Sequence, residues 1–154
     1  MMKFKYLFLS FMLLIMIGSI TAIAADDDYG SLGDYTFDLP DGYEIVNKTD
    51  NMLSMQQDTD HAIVMSLPDE IKEADEFKAN LEKQGYEFGD EDSYKVGNFD
   101  INQYNYNYEQ YQGFLYICDD GNNSPILITL VIPADEDAPD SQDNPVTTII
   151  NSLE

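Results

Sequence analysis

The 154-residue chain contains 30 acidic residues, seven lysines and no arginine, and its formal net charge at pH 7 is −23. This charge excludes nucleic acids and anionic membrane surfaces as partners, because lysine and arginine side chains supply the affinity for both. The single cysteine cannot form an intramolecular disulfide, and together with the single histidine it provides too few ligands for a zinc or copper site.

The N-terminal residues have the pattern of a secretory signal. Lys3 and Lys5 precede an apolar run over residues 7–20, and residues 22–24 (AIA) place small side chains at the alternate positions that signal peptidase accepts. The run is about 14 residues long, whereas a helix that spans a bilayer needs ~20. We therefore predict a cleavable signal peptide over residues 1–24 and a secreted or cell-surface mature chain. An uncleaved N-terminal anchor is the alternative.

The first ordered elements are expected to be strands. Residues 25–34 are polar, acidic and contain glycine, which predicts a flexible lead-in to one domain over residues 35–154. In "YTFDLPDGYEIV" (residues 35–46) apolar and polar residues alternate on both sides of the turn sequence "PDG", so we expect a hairpin. The segments "NMLSMQQ" and "HAIVMSL", which "DTD" separates, predict a second hairpin.

A helix is predicted in residues 68–85, where the apolar residues recur at steps of three and four. Acidic residues gather at its start, Lys83 lies near its end, and Gly85 is placed to terminate it. The side chains that share its apolar face are Ile71, Ala74, Phe77 and Leu81.

The second half of the chain is rich in strand candidates, among them "YEF", "YKVG", a tyrosine-rich segment and "GFLYIC". Residues 126–132 are apolar apart from Thr129, which predicts a strand covered on both faces. Residues 145–153 have helical spacing, with Asp143 or Asn144 as the cap. Runs of strands, rather than strict alternation with helices, predict an α+β domain in which an antiparallel meander packs against two helices.

The segment "FDLPDGY" resembles the opening hairpin of PsbP-like proteins, which are related in fold to the Mog family. The shared feature is a phenylalanine, Phe37, followed by a "PDGY" turn at residues 40–43. The order of strands, helix, meander and closing helix with an "SL" tail is similar over most of residues 35–154. This resemblance implies an antiparallel sheet between helical layers, a PsbP-like sandwich. It implies no chemistry, because the fold carries unrelated functions.

The tyrosines in "YNYNYEQYQGFLY" are the one candidate binding surface. Tyr104, Tyr106 and Tyr108 share one face of a strand, and the asparagines between them share the other face with Phe99 and Ile101. An unbroken strand that buries Phe99 and Ile101 would also bury the asparagines. That burial is costly unless every amide group is hydrogen-bonded.

Two arrangements avoid this cost. A β-bulge near Asn102 and Gln103 would switch the faces and turn the tyrosines into the core. Otherwise the buried face ends early, and the tyrosines form an exposed stripe that binds a glycan or a peptide. Because tyrosine packs well in sheets, we favour the bulge. The turn over residues 109–112 then predicts a hairpin with "GFLYIC".

Catalytic chemistry is not indicated. Nothing in the sequence brings His61 and Cys118 together as a base and a nucleophile. Carboxylates such as Glu44 and Glu109 are too numerous for a glycosidase-like pair to stand out. No glycine-rich phosphate loop, GxSxG or HExxH motif occurs. We therefore expect no enzymatic activity, no catalytic residue and no cofactor. A carboxylate-dependent hydrolase is an alternative.

Acidic loops make divalent cations candidate partners. Oxygen ligands that suit calcium cluster in residues 89–92, 118–123 and 135–144, but none follows the spaced EF-hand loop pattern, so we assign no metal site. Glycosylation sequons begin at Asn47 and Asn122. The sequence thus predicts a non-enzymatic binding or structural module whose partner is an extracellular protein or a glycan. A calcium-dependent adhesion or scaffold module is the alternative.

Overall fold

The structure is a computed structural model that describes residues 28–68 and 70–154. The predicted signal peptide and the start of the predicted lead-in lie outside these residues. Within the described ranges, no helix is long and apolar enough to cross a membrane.

Strands predominate in the part of the chain that the structure describes. In chain order the elements are β1 (Tyr29–Leu32), β2 (Tyr35–Asp38), β3 (Glu44–Lys48), β4 (Met52–Gln57), β5 (Asp60–Ser66), α1 (Ala74–Lys83), β6 (Glu87–Val96), β7 (Phe99–Tyr108), β8 (Tyr111–Asp119), β9 (Ile126–Pro133) and α2 (Pro145–Ser152).

Seven of these strands form one sheet in the order β3-β4-β5-β9-β8-β7-β6, and each pairing is antiparallel. The chain builds this sheet as two meanders, β3 to β5 and β6 to β9, which meet where β5 pairs with β9. Strands β1 and β2 form a separate antiparallel hairpin. The predicted α+β class, with an antiparallel sheet packed against helices, is confirmed.

One face of the large sheet is covered by α2 and by the β1–β2 hairpin, and we call it the α2 face. Phe37 of the hairpin, Ile101 of β7, Ile128 of β9 and Ile149 of α2 meet in its core, and none is more than 2% exposed. Full burial of a side chain of this size contributes about 1.5–3 kcal/mol of hydrophobic stabilisation. This core therefore fixes the hairpin and the last helix to the sheet.

The opposite face is covered by α1, and we call it the α1 face. Leu127 and Ile128 are consecutive in β9 and lie in different cores, because successive strand residues point to opposite faces. Phe77 and Leu81 of α1 pack against this side of the sheet. Every residue from 126 to 132 is buried, which confirms the predicted cover on both faces of that strand.

Both predicted helices form, and local sequence sets their ends. Helix α1 begins later than predicted, at Ala74, because Glu73 before it has an extended backbone (φ −131°, ψ 141°). It is terminated as predicted by Gly85, whose φ of +103° suits glycine. Helix α2 is capped by Asn144, whose side-chain oxygen accepts a hydrogen bond from the backbone N–H of Val146 at 2.9 Å.

The predicted hairpin over residues 35–46 is wrong, because its two strands lie in different sheets. Strand β2 pairs with β1, whereas β3 pairs with β4. The buried ring of Phe37 gives the physical reason. It packs against Gly30 of β1, where a side chain would collide with it, and this packing places β2 over the large sheet instead of within it. The second predicted hairpin, β4 with β5 across "DTD", is confirmed.

Ordered structure begins earlier in the chain than the sequence indicated. Strand β1 falls within residues 25–34, the predicted flexible lead-in, and its Leu32 is buried in the core of the α2 face. The segment contains glycine, serine and aspartate, which locally favour a linker, and pairing with β2 makes it a strand. On its other side β2 exchanges two backbone hydrogen bonds of 3.0 Å between Thr36 and Glu154.

Candidate functional site

Strand β7 places the tyrosines on the α1 face. Tyr104 and Tyr106 are 4% and 5% exposed and pack in the core beneath α1, and Tyr108 is half-buried at the margin of that core. Phe99 and Ile101 lie in the core of the α2 face. Tyr104 and Tyr106 are therefore interior residues and do not form an exposed binding stripe.

The predicted bulge near Asn102 and Gln103 is wrong. Strand β7 pairs with β8 in unbroken register from Asp100 to Tyr108. The irregularity lies instead in the neighbouring strand β6, where the register shifts between Phe88 and Glu91.

Strand β7 needs no bulge, because its two faces are covered over different halves of its length. On the α2 face the cover extends over Phe99, Ile101 and Gln103 and ends there. Asn105 and Asn107 point to the same side but reach solvent. On the α1 face the cover begins only in the second half of the strand, at the tyrosines. An unbroken strand thus buries both sets of side chains without burying the asparagines.

Specific contacts fix the buried tyrosines. The hydroxyl group of Tyr106 donates to a backbone carbonyl of β9 at 3.0 Å. The hydroxyl group of Tyr104 donates to the carboxylate of Glu91. The ring of Tyr108 stacks on the ring of Tyr86, with 4.1 Å between centroids. These contacts give the three tyrosines a packing role.

His61 and Cys118 lie on opposite faces of the sheet. Cys118 is buried in the core of the α2 face, and burial raises the pKa of its thiol to about 12. His61 precedes Ala62, which belongs to that same core, so the imidazole points to the other face. Burial also lowers the pKa of His61. The sheet therefore separates the thiol from the imidazole that a nucleophilic pair would need.

An open pocket of about 650 Å³ lies on the α1 face, between the first turn of α1 and the β8–β9 turn. Strands β7 and β8 form its floor. Four carboxylates and one lysine line it, so its local charge is strongly negative, and we call it the acidic pocket. Its charged lining residues are Lys72, Glu73, Asp75, Asp100 and Asp119.

Asp100 and Asp119 face each other on the floor of the acidic pocket as direct register partners of β7 and β8. Side chains in such positions have Cβ atoms about 4.5–5.5 Å apart, so two like charges adjoin. Lys95 forms an ion pair with Asp100 at 3.0 Å, but their side chains are 65% and 71% exposed, and water screens the pair. One oxygen of Asp119 accepts the backbone N–H of Gly121 at 2.8 Å.

Asp120 orders the turn that forms one wall of the acidic pocket. Its carboxylate accepts the backbone N–H groups of Asn122 and Asn123, each at 2.9 Å, and the hydroxyl group of Tyr35 at 3.2 Å. Bonds from Asn123 and Asn122 are the main reason that the pKa of Asp120 is lowered to about 2. The wall is thus held by an ionised side chain at any pH near neutrality.

The three acidic segments considered for calcium do not form a ready metal site. Within residues 28–68 and 70–154, no three histidine, cysteine, aspartate or glutamate side chains are grouped to hold a metal ion. Residues 89–92 lie in strand β6, where side chains alternate between faces. In the other two segments, carboxylate oxygens of Asp119, Asp120 and Asp140 already accept hydrogen bonds from backbone N–H groups of their own turns.

Sequence reasoning missed the acidic pocket, although one signal for it was present. In a hairpin, each step back along the first strand is matched by one step forward along the second. A two-residue turn at Glu109 and Gln110 therefore places Asp100 opposite Asp119. Asp75 gave no such signal, because its position relative to the sheet depends on how α1 packs.

No protein-family model and no curated protein matches this sequence significantly.

Proposed function

We propose that this protein is a non-enzymatic binding module that acts outside the cell and accommodates a lysine or arginine side chain of an extracellular protein in the acidic pocket. The observation that carries the proposal is the pair Asp100 and Asp119, two carboxylates held face to face on the floor of an open pocket. The extracellular location rests on the predicted signal peptide.

A cationic ligand in the acidic pocket would reduce the electrostatic repulsion between the two facing carboxylates. Like charges directly opposite each other on antiparallel strands destabilise the pair by about 0.2–1 kcal/mol. Lys95 offsets part of this repulsion through its exposed ion pair with Asp100, and an ammonium or guanidinium group between Asp100 and Asp119 adds an attractive contact to each carboxylate. Glu73 and Asp75, at the start of α1, extend the negative potential to the mouth of the pocket. The long-range field of the acidic chain adds to the association rate of a cationic partner.

The same two carboxylates support a hydrolytic function less well than a binding function. A carboxylate pair divides into an acid and a base when an apolar or shielded environment separates their proton affinities. The side chain of Asp100 is 71% exposed, so water reaches it freely. The carboxylates named from the sequence, Glu44 and Glu109, are exposed on strand β3 and at the β7–β8 turn and do not line the pocket. Binding therefore accounts for the pocket better than catalysis.

For the fold, we propose a relationship to the PsbP-like proteins. Helices on both faces of an antiparallel sheet support it. The separate β1–β2 hairpin departs from the opening hairpin on which the resemblance was based.

The proposal is tested with a labelled peptide that contains one lysine, and with the same peptide acetylated at the lysine Nζ. Fluorescence anisotropy at low salt is expected to show binding of the charged peptide and much weaker binding of the acetylated one. Each exposed ion pair contributes about 0–1 kcal/mol, so the four carboxylates together contribute at most about 4 kcal/mol. The dissociation constant should therefore be about 1 mM or weaker and should rise with salt.

Two double variants separate the pocket from the general charge of the protein. Asp100→Asn with Asp119→Asn removes the facing carboxylates, and Asp135→Asn with Asp137→Asn removes the same charge from an exposed loop. We expect the first double variant to lose binding and the second to retain it. Equal losses in both would contradict the proposal, because they would show attraction by net charge alone.

A further inference from the structure

Strand β6 is a long open edge of the large sheet. It has ten residues, none of which is buried, and within residues 28–68 and 70–154 it pairs with β7 alone. One side of its backbone therefore presents N–H and C=O groups that no described strand pairs. Exposed edges of this length are uncommon, because they are templates for pairing with another chain.

The opposite edge of the sheet is protected in ways that β6 is not. Strand β3 has five residues, its register with β4 shifts between Ile45 and Asn47, and its Ile45 and Val46 are buried. The ammonium group of Lys48 donates to the hydroxyl group of Ser31 at 3.1 Å, which ties the end of β3 to the β1–β2 hairpin. Of the two edges that the large sheet has within the described residues, the β6 edge is therefore the long and open one.

The second part of strand β6 is regular and rigidly supported. The register shift lies before Glu91, and the strand pairs without interruption from there to Val96. Three side chains of this run form hydrogen bonds with side chains of β7. Glu91 accepts a hydrogen bond from the hydroxyl group of Tyr104. Ser93 and Tyr94 donate to side-chain amide oxygens of β7 at 2.9 and 3.0 Å. A preorganised edge loses little conformational entropy when another strand adds to it.

The negative charge of strand β6 determines which kind of strand can pair with it. Glu87, Asp90, Glu91 and Asp92 give the edge four carboxylates against one lysine, Lys95, so its net charge is −3. A second copy of this chain would bring the same carboxylates together, which disfavours self-association. A lysine- or arginine-rich strand would instead meet opposite charges on both faces of the sheet.

We propose that strand β6 is a docking edge for an extended, basic peptide segment of a partner protein, which adds to the sheet as a further strand. Main-chain hydrogen bonds provide the affinity, and cationic side chains opposite Glu91 on one face of the sheet and opposite Asp92 on the other provide the specificity. This inference does not depend on the acidic pocket.

The test uses a labelled peptide of alternating lysine and valine and two derivatives of equal charge. One derivative is N-methylated at the odd-numbered backbone nitrogens, and the other at the even-numbered nitrogens. In an added strand only alternate N–H groups point to the protein. We therefore expect one derivative to bind about tenfold more weakly than the parent or worse, and the other to bind like the parent. Equal behaviour of the two derivatives, whether both bind or both fail, would overturn the proposal.

Variants then locate the binding. Replacement of Asp90, Glu91 and Asp92 by their amides should weaken binding of the parent peptide, while a control with Asp34, Asp135 and Asp137 replaced by asparagine should not. Equal weakening by both triple variants would also overturn the proposal. The Asp100→Asn, Asp119→Asn variant should keep the difference between the two methylated derivatives, so a failed pocket and a failed edge are distinguishable.

Discussion

The hydroxyl group of Tyr104 donates a hydrogen bond to the carboxylate of Glu91, the residue directly opposite it on strand β6. The ring of the same tyrosine lies 4.9 Å from the ammonium group of Lys78, which forms an ion pair with Glu82 at 2.8 Å on helix α1. A tyrosine that is 4% exposed thus connects an edge strand and a helix to the sheet.

Replacement of Tyr104 by phenylalanine should make stability less dependent on pH in the acidic range. Bonds from Tyr104 and then Ser93 lower the pKa of Glu91. A carboxyl group with a lowered pKa in the folded state contributes stability that is present above its unfolded pKa, about 4.3, and is lost as the pH falls through the folded pKa. The difference in unfolding free energy between wild type and variant should therefore be largest near pH 7 and shrink below pH ~4.

Urea denaturation at a series of pH values measures this difference. Tyr29→Phe is the matched control, because Tyr29 is 55% exposed. A difference between wild type and Tyr104→Phe that stays constant from neutral to acidic pH would show that the hydroxyl group acts without Glu91.

Substitution of Gly113 by alanine should destabilise the fold severely. A Cβ atom on Gly113 would overlap the carbonyl oxygen of Leu130 on the neighbouring strand and would lie 3.0 Å from the hydroxyl oxygen of Tyr106. Overpacking of this kind costs about 1–3 kcal/mol, and a backbone obstacle places the expected loss at the upper end. The double variant with Tyr106→Phe should not recover stability, because the carbonyl remains; recovery in urea denaturation would identify the tyrosine as the obstacle.

Asn144 should contribute to stability through both ends of its side-chain amide. Its oxygen caps α2, and its nitrogen donates to the hydroxyl oxygen of Tyr116 at 2.8 Å. Asn144→Ala should lower the unfolding free energy by about 1–2 kcal/mol. Asn144→Ser keeps an oxygen that can cap α2 and loses the amide donor, so we expect a smaller loss. Equal losses in the two variants would mean that the cap contributes little.

Removal of one of the facing carboxylates should stabilise the protein at low salt. Asp119→Asn keeps an oxygen that can accept the Gly121 N–H and removes the repulsion from Asp100, which is worth about 0.2–1 kcal/mol. The gain should vanish at high salt, because screening reduces interactions between exposed charges. Urea denaturation at two salt concentrations measures it, and a gain that persists in high salt would exclude a charge effect.

Calcium should stabilise this protein no more than screening does. The described acidic side chains do not group as a metal site, so Ca²⁺ and Na⁺ at matched ionic strength should raise the melting temperature equally. A saturable extra shift with Ca²⁺, absent with Mg²⁺, would contradict this expectation and favour the calcium-dependent scaffold.

Local patterns predicted much of the fold. The spacing of Phe77 and Leu81, the glycine after α1 and the Asn144 cap were sufficient for both helices, because these signals act within a few residues. The pairing of β1 with β2 was not predictable in this way. It depends on Phe37 packing against Gly30 and the α2-face core, a contact made only in the assembled fold.

The tyrosine-rich strand shows where sequence patterning fails. Alternation identified which side chains share a face, and it correctly put Tyr104 and Tyr106 opposite Phe99 and Ile101. It could not show how far α1 and α2 extend along each face. The offset between those two covers, and not a bulge, exposes Asn105, and it depends on the position of helices that are distant in sequence.

The most direct test of the proposed binding site is an amide-resolved NMR titration of the protein with the lysine-containing peptide at low salt. We predict saturable shifts for the amide groups of Asn102, Ile117 and Asn122, which line the acidic pocket, and no comparable shifts in the exposed acidic loop over residues 134–143. Small shifts spread over all acidic loops, with no saturation at the pocket, would contradict a specific site for a cationic side chain.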